Sequence, residues 1–397
     1  MELENKKKYY KSILDNFSWT KSVGQFSKVI EACQMAEQKD RIAIFCPSPV
    51  SYSAVGKYIF QNHAELSRLY DIDYYIEYGL TSHEPTRVNI LEYASNYFPA
   101  TSFDLNKVKN YAYILYNIGN SEFHTETILN ALRLPGTAII HDTKLSGVFD
   151  YMHNRGIITP ERKQFEMLID EVSKTKNTSC LTSIITYQKS LICHSFFAKN
   201  SVHLSGSPTI THAMLPVGVP VIELARSNVP TISFAGIISE EKGINLVSAV
   251  SELGDVKVKV FGYGVLGDSP LLNGLGSNVE VIKDLSDKDF QDNLRMSDIV
   301  VNYRISYQGE TSLSTLEAMR YGAVVIVRRI GWFDELPDNT VMKVDSELEL
   351  LESINMLIDN PEIRRNISSS ARLFLKTHHT YGGYAKQIES SLKGSNL

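Results

Sequence analysis

From Arg41 onward the sequence alternates short apolar runs with helical stretches, and it does so twice. "RIAIFCP" ends at Pro47 and a helical stretch follows, about Val55 to Tyr70. "DYYIEYG" and "YAYILYNIG" come next, then a helix from Phe123 to Leu134, "GTAIIHD", and a helix-rich segment with a strand near "SLICHS". The Pro-rich "PVGVP", Pro216 to Pro220, interrupts the pattern and marks a linker. The alternation restarts with "VPTISFAG", "VKVKVFGYG", "VEVIKD", "DIVVNYR" and "AVVIVRR", separated by helices. Apolar strands joined by crossover helices make a parallel sheet covered on both faces. The expectation is α/β: two doubly wound Rossmann-like domains, 41–215 and 216–380, facing across a cleft. Ligands of such sheets bind beyond the carboxyl ends of the strands.

At 397 residues the chain is too long for one ordinary core, so composition agrees with two domains. An apolar fraction of 43% and a charged fraction of 21% are those of a soluble globular protein. A net charge of −5 gives no nucleic-acid footprint, so no nucleic-acid partner is expected. Cys33, Cys46, Cys180 and Cys193 have no metal-like spacing and read as reduced thiols. With no spanning-length apolar run and a charged N-terminus, a cytoplasmic site is expected. Residues 1–40 read as a polar helical extension. Its "KKKYYK" suits a solvated helix face, or peripheral contact with the inner face of a membrane. "FSWTKSVGQF" echoes "HTYGGYAKQI" near the C-terminus, which leaves two readings: a surface helix pair, or the tail of a preceding unit in a longer tandem chain.

The richest chemistry is in "YQGETSLSTLEAM", Tyr307 to Met319, directly after the strand "DIVVNY". Ser314-x-x-Glu317 fits a capping box, which would make Glu317 structural. That leaves Gly309, Glu310, Thr311 and Ser312 unexplained. Glycine and small polar residues at a helix start suit phosphate, because free N–H groups and the positive helix end attract it. Flanking carboxylates accept hydrogen bonds from sugar and ribose hydroxyls. An oxygen-rich ligand at this point would touch Gly309, Thr311, Ser312, Leu313 and Glu317, the residues that would form a donor site on the resemblance described below. Arg304 ends the strand five residues before Gly309 and reads as a phosphate ligand or as half of a salt bridge. His141 and Asp142 end "GTAIIHD", where a histidine is either structural or on the cleft wall. Asn120 and His124 follow the preceding strand, with helix capping open for His124. "GYGVLG" fits G-x-G-x-x-G but runs into Asp268-Ser269-Pro270 instead of a helix, which argues against a dinucleotide. "DID", Asp71 to Asp73, reads as a turn rather than a metal ligand pair.

"GETSLSTLEAMRYGAVVIVRRIGWFDELP" resembles the donor segment of retaining GT-B glycosyltransferases, especially family 4 and its "GETS" branch. Glu317 matches that family's second glutamate; its first falls on Gly309, with Glu310 one place late. "FAGIISEEKG" resembles its G-R-x-x-x-x-K-G loop, with Lys242 at the lysine and Ile237 in place of the arginine. "CPSPVSYSAVGKY", containing Gly56, resembles its first glycine-rich loop; "YNIGNSEFH" and "PGTAIIHD" resemble first-domain motifs. The resemblance covers about residues 41–395. It implies a GT-B fold whose C-terminal helix, 381–397, crosses back to the first domain. It implies a UDP- or GDP-linked sugar as co-substrate, no cofactor and no metal. The diphosphate would meet Lys242, Arg304 and the N–H groups of Thr311 to Leu313. The nucleoside would meet Glu317 and the backbone near Val281 to Lys283, and the sugar would lie towards Glu310 and His141. A glycan or glycolipid acceptor would enter past Gly56, Asn120, His124 and Asp142. Transfer would retain anomeric configuration. Two other classes stay open: a catalytically silent GT-B subunit supporting a partner transferase, and an epimerase or phosphorylase using the same donor.

Overall fold

The structure, a computed structural model, describes residues 39–49, 53–77, 96–159, 182–202, 208–221, 229–237, 239–263, 274–283 and 285–394. The polar extension, the tandem-unit echo and the "KKKYYK" run therefore lie outside the described residues, as do Cys33, Cys180 and most of "GYGVLG". Arg41–Leu397 forms one compact unit.

Seven strands build the first sheet: β1 (Arg41–Pro47), β2 (Asp71–Glu77), β3 (Tyr97–Pro99), β4 (Tyr113–Ile118), β5 (Thr137–Ile140), β6 (Ser190–Cys193) and β7 (Thr209–His212). Six build the second: β8 (Thr231–Ile237), β9 (Lys257–Tyr263), β10 (Val279–Ile282), β11 (Ile299–Asn302), β12 (Val324–Arg328) and β13 (Met342–Val344). The spatial orders are β3-β2-β1-β4-β5-β6-β7 and β10-β9-β8-β11-β12-β13, and every pairing is parallel. The chain order reverses between β1 and β4 in one sheet and between β8 and β11 in the other. These are the switch points where an open α/β sheet splays its loops and leaves room for a ligand.

The helices that matter for the site are α1 (Ala54–Gln61), α2 (His63–Leu69), α3 (Thr125–Arg133), α4 (Ser146–Asn154), α5 (Phe196–Val202), α6 (Asp287–Arg295), α7 (Leu313–Arg320), α8 (Trp332–Glu335), α9 (Pro361–His378) and α10 (Tyr381–Gly394). The helix expected over 55–70 is broken at Asn62 into α1 and α2. α10 lies on β6, β7 and α2 of the first domain, while α9 packs on α7 of the second. The linker is tied to this crossover: Val217 N–H donates to the His379 carbonyl (2.8 Å), and His379 Nδ1–H donates to the Leu215 carbonyl (2.7 Å). One apolar core consequently runs from Ile44 and Tyr58 through Tyr384 and Leu375 to Leu316 and Val325.

β3, β7 and β13 were not legible as strands; all are short edge or near-edge pieces without a buried apolar run. "DID" is not a turn. It opens β2, where Asp73 is buried and paired with Arg41 (2.9 Å) and Tyr111 Oη–H (2.7 Å), at the end of the sheet away from the cleft.

Candidate functional site

The loops after β8 and β11, the two strands at the switch point of the second sheet, meet at one spot. Gly236, the penultimate residue of β8, has φ 115°, and a short 3-10 turn, Glu240–Lys242, follows the strand. Gly243, at φ 77°, lets that turn lie against the Tyr303 carbonyl just past β11; a Cβ there would sit 3.0 Å from the oxygen. Ile305 N–H donates to the Glu241 carbonyl (2.9 Å), fastening the two loops together. Lys242 thereby points inward. A Cβ on Gly236 would lie 3.4 Å from Lys242 Nζ and 3.6 Å from Ser314 Oγ, so the ammonium sits at the start of α7. Burial pulls Lys242 down to about 7, and the neighbouring Arg304 cation adds to this. Arg304 is itself buried. Its Nη1 pairs with Glu310 Oε1 (3.1 Å), its guanidinium lies over the Phe333 ring (5.8 Å), and its Nε is buried without a hydrogen-bond partner. The salt-bridge reading of Arg304 is thus realised, with one N–H still unmet beside Lys242.

The polar start of α7 also resolves. Its cap is Ser312, whose Oγ accepts from Thr315 N–H (3.3 Å), and Asn302 Nδ2 donates to Ser312 Oγ (3.1 Å) and Thr315 Oγ1 (2.6 Å). Ser314 is therefore not the cap, and Glu317 is not in a capping box: it sits a turn further on, buried, accepting from Gln291 Nε2 on α6 (3.1 Å). Burial pushes Glu317 up to about 7; Arg320 and Lys57 oppose this and Asp287 adds to it. Val281 lies in the edge strand β10 and Lys283 just past its carboxyl end, before α6, the helix that carries Gln291.

Gly309 explains why the glutamate comes one place late. Its φ is 89°, and a Cβ would lie 2.0 Å from Thr143 Oγ1 of the first domain. No side chain fits at 309 in this arrangement, so the carboxylate stands at 310. Glu310 is fixed by Arg304, by Gln308 N–H (3.0 Å to Oε2) and by Tyr307 Oη–H, which donates to its carbonyl (2.9 Å). Tyr307 Oη in turn accepts from Trp332 N–H (3.0 Å), with its ring seated on Gly331. The first domain closes onto this loop. Thr143 N–H and Lys144 N–H both donate to the Gln308 carbonyl (2.9 and 3.3 Å), and Lys144 Nζ donates to the Tyr307 carbonyl (3.1 Å). Nearby, Glu335 of α8 caps α5 of the first domain through Phe196 N–H (2.8 Å) and Phe197 N–H.

Across the cleft, Asp142 accepts from Asn120 N–H (2.8 Å); burial, then Glu310, pushes it up to about 7. Asn120 Oδ1 accepts from Val148 N–H (3.0 Å), steadying α4. Gly56 is buried where α1 meets β1: a Cβ would lie 2.4 Å from the Ser48 carbonyl oxygen.

Two histidines depart from expectation. His141 is 8% exposed and turns into the domain. Asn117 donates Nδ2 to the Phe45 carbonyl (2.8 Å), so its Oδ1 faces His141 Nε2 (3.1 Å) and fixes the proton on that nitrogen. Tyr58 Oη sits 3.0 Å from the same nitrogen, and burial holds His141 well below the usual histidine range. Its imidazole thus shores up the wall and does not present Nε2 to a sugar. His124 holds the N-cap position of α3 but makes no side-chain cap bond, and it does not line the cleft. It is buried under Gly119, where a Cβ would lie 2.5 Å from its Nε2, and its Nδ1–H donates to the Asn117 carbonyl (2.7 Å).

Sequence reasoning missed Tyr307, Thr143, Lys144, Gln291 and Lys57. Tyr307 stood inside the quoted motif, yet its partners Trp332 and Gly331 lie a full βα unit away.

Residues 242–390 match a protein family described as glycosyl transferase-like. No curated protein sequence matches the chain. Among solved structures, sucrose-phosphate synthase from Thermosynechococcus elongatus superposes with a TM-score of 0.64 at 14% identity, over 90% of this chain and 99% of that one. Anabaena Alr3699/HepE, solved in complex with UDP-glucose, gives 0.62 at 12% identity, over 89% and 100%. A glycosyltransferase from Rickettsia africae gives 0.57 at 14% identity, over 90% and 99%. The two parallel-sheet α/β domains therefore form a GT-B fold.

Proposed function

We propose that this chain is a retaining, metal-independent glycosyltransferase of the family 4 kind, moving a sugar from a UDP- or GDP-linked donor to a saccharide, lipid-linked or protein-glycan acceptor. The observation that carries the reading is the convergence of Lys242, the unmet Nε of Arg304 and the start of α7 at the β8/β11 switch point. Two cations and free helix N–H groups in a desolvated pocket are what a diphosphate needs. The glycosyl transferase-like match over 242–390 covers these residues, and HepE, of the same fold, was solved with UDP-glucose.

The mechanism follows from charge. Breaking the anomeric bond to the diphosphate leaves negative charge on the leaving oxygen. Lys242, Arg304 and the N–H groups of Thr311 to Leu313 stabilise it without having to reorganise. Glu317 accepts ribose hydroxyl bonds, Val281 and Lys283 lie on the nucleoside side, and Glu310 faces the sugar. The acceptor hydroxyl attacks from the first-domain side, past Asp142 and Asn120, and its proton goes to the departing phosphate. The Thr143–Gln308 contact keeps water out during transfer.

Thermal shift against a panel of UDP- and GDP-sugars, then transfer assays with and without EDTA, test this. Stabilisation by one donor, activity that survives EDTA, and an α-linked product from an α-linked donor are expected. Loss of transfer on chelation with recovery in Mn²⁺ refutes metal independence. Donor binding without hydrolysis or transfer to any acceptor would assign the chain to the silent-subunit class. No helix among the described residues is long and apolar enough to cross a membrane.

A further inference from the structure

The nucleotide end of the site receives a charge from the opposite domain. Because Gly56 lets α1 press on the end of β1, Lys57 is held at the carboxyl edge of the first sheet. Its side chain, 19% exposed, crosses the cleft to form an ion pair with Asp287, the first residue of α6. That same helix carries Gln291, which holds Glu317 Oε1. The charged and titratable groups facing Glu317 are Lys57 from α1, Asp287 from α6, Arg320 from α7 itself and Tyr381 from α10. Arg320, the stronger of the two cations on Glu317, is held on the second domain by neutral partners: its Nη2 donates to Gln291 Oε1 (3.2 Å) and Tyr321 Oη (2.8 Å), and it lies 4.7 Å over the Tyr321 ring. Of the two cations, Lys57 is the one that arrives only when the domains are together.

We propose that Lys57 is a positioning residue for the nucleotide. With the cleft closed, its ammonium offsets Asp287 and keeps Glu317 ionised as the acceptor of ribose hydroxyls, so that domain closure and grip on the nucleotide reinforce each other. The inference rests on the reading of Glu317 as the ribose acceptor. Its physical basis is that a carboxylate accepts hydrogen bonds at both oxygens, whereas its protonated form must give one position to a donor. Glu317 sits near its midpoint at neutral pH because burial opposes ionisation, so a single nearby charge changes how often it is ionised. An exposed ion pair that merely bridged the domains would contribute little and would leave the pH dependence of binding unchanged.

Calorimetric titration of the full chain with UDP and with GDP, from pH 6 to 9, tests this. Lys57→Met should bind about 3- to 10-fold more weakly than wild type at pH 7, with the ratio approaching one above about pH 9, where Glu317 is ionised in both. Lys57→Arg should restore wild-type binding, and the melting temperature of Lys57→Met should stay close to wild type. Asp287→Asn should not weaken binding, since it removes the anion that opposes Glu317. An unchanged Kd and unchanged pH dependence in Lys57→Met overturn the proposal. Equal weakening by Lys57→Met and Asp287→Asn also overturns it, because the pair would then act as a clamp alone. If wild type binds neither UDP nor GDP, the nucleotide reading itself fails and this inference falls with it.

Discussion

Glu317→Gln separates a functional carboxylate from a structural one, because the two predict opposite changes in stability. Burial lifts Glu317 from an ordinary 4.5 to about 7. A carboxyl whose pKa is raised on folding stabilises the fold fully below its unfolded value, and that contribution is lost as pH rises through the folded value. Here the window is about pH 4.5 to 7. The shift corresponds to about 3 kcal/mol that ionised Glu317 costs the fold at pH 8.5. Gln keeps the shape and can still accept from Gln291 Nε2, but it carries no charge to desolvate. Glu317→Gln should therefore be more stable than wild type at pH 8.5 by up to about 3 kcal/mol, a rise of several degrees in Tm, and about equal to it at pH 4.5. Nucleotide binding should move the other way. Losing a charged acceptor of ribose hydroxyls should weaken UDP or GDP binding by about 1.5–3 kcal/mol at pH 8.5. Differential scanning calorimetry and titration calorimetry on the same two proteins measure both. A variant that is less stable than wild type at pH 8.5, with unchanged nucleotide affinity, would make Glu317 a packing residue and remove it from the site.

Three further outcomes follow from the diphosphate end. Lys242→Ala and Arg304→Ala should each lower turnover roughly 30-fold or more, the 2–5 kcal/mol of an unpaired desolvated charge; a near-normal rate in Arg304→Ala would reduce Arg304 to a holder of Glu310. Because Lys242 sits near 7, its protonated form is lost as pH rises through neutrality, so nucleotide affinity should peak near pH 7, with Glu317 setting the acid limb and Lys242 the alkaline limb. Lys242→Arg should extend the alkaline limb, and a profile identical to wild type would exclude Lys242 from phosphate contact. Gly309→Ala puts a Cβ 2.0 Å from Thr143 Oγ1 at a φ of 89°, so transfer should fall at least about 10-fold while UDP or GDP affinity stays within about two-fold; full activity would mean that the Thr143–Gln308 contact is not made in turnover.

What the sequence disclosed is what short loops carry. Lys242, Arg304 and Gly309 each lie within seven residues of the end of the apolar strand that delivers them, and Glu317 is on the helix that follows, so strand periodicity puts them at carboxyl ends. What it hid depends on pairing across the cleft. Lys57 and Asp287 are 230 positions apart, and nothing local to either marks them as neighbours. The cap on α7 is not legible in the sequence for a related reason. Ser312 and Ser314 are equally good caps by type, and the choice between them is made by Asn302, on the preceding strand, which donates to Ser312 Oγ. His141 was placed at the right strand end but with the wrong orientation, since its rotamer is set by Asn117 and Tyr58 from two other elements.

The late glutamate and the absent arginine are connected. With Ile237 where the resembling family has arginine, the second cation of the proposed phosphate pocket would come from the β11 loop, as Arg304. A glutamate at 309 would meet Thr143, so closure requires glycine there and moves the carboxylate to 310. From 310 it reaches Arg304, and Gln308 N–H holds it in that direction. The pocket thus contains two cations and one fixed anion in place of two unopposed cations. Arg304 still turns an unmet Nε inward, but part of its charge is already answered. On the proposed reading, Lys242, with no ion-pair partner among the described residues, would carry the larger share of leaving-group stabilisation, and of the two alanine variants Lys242→Ala should be the slower.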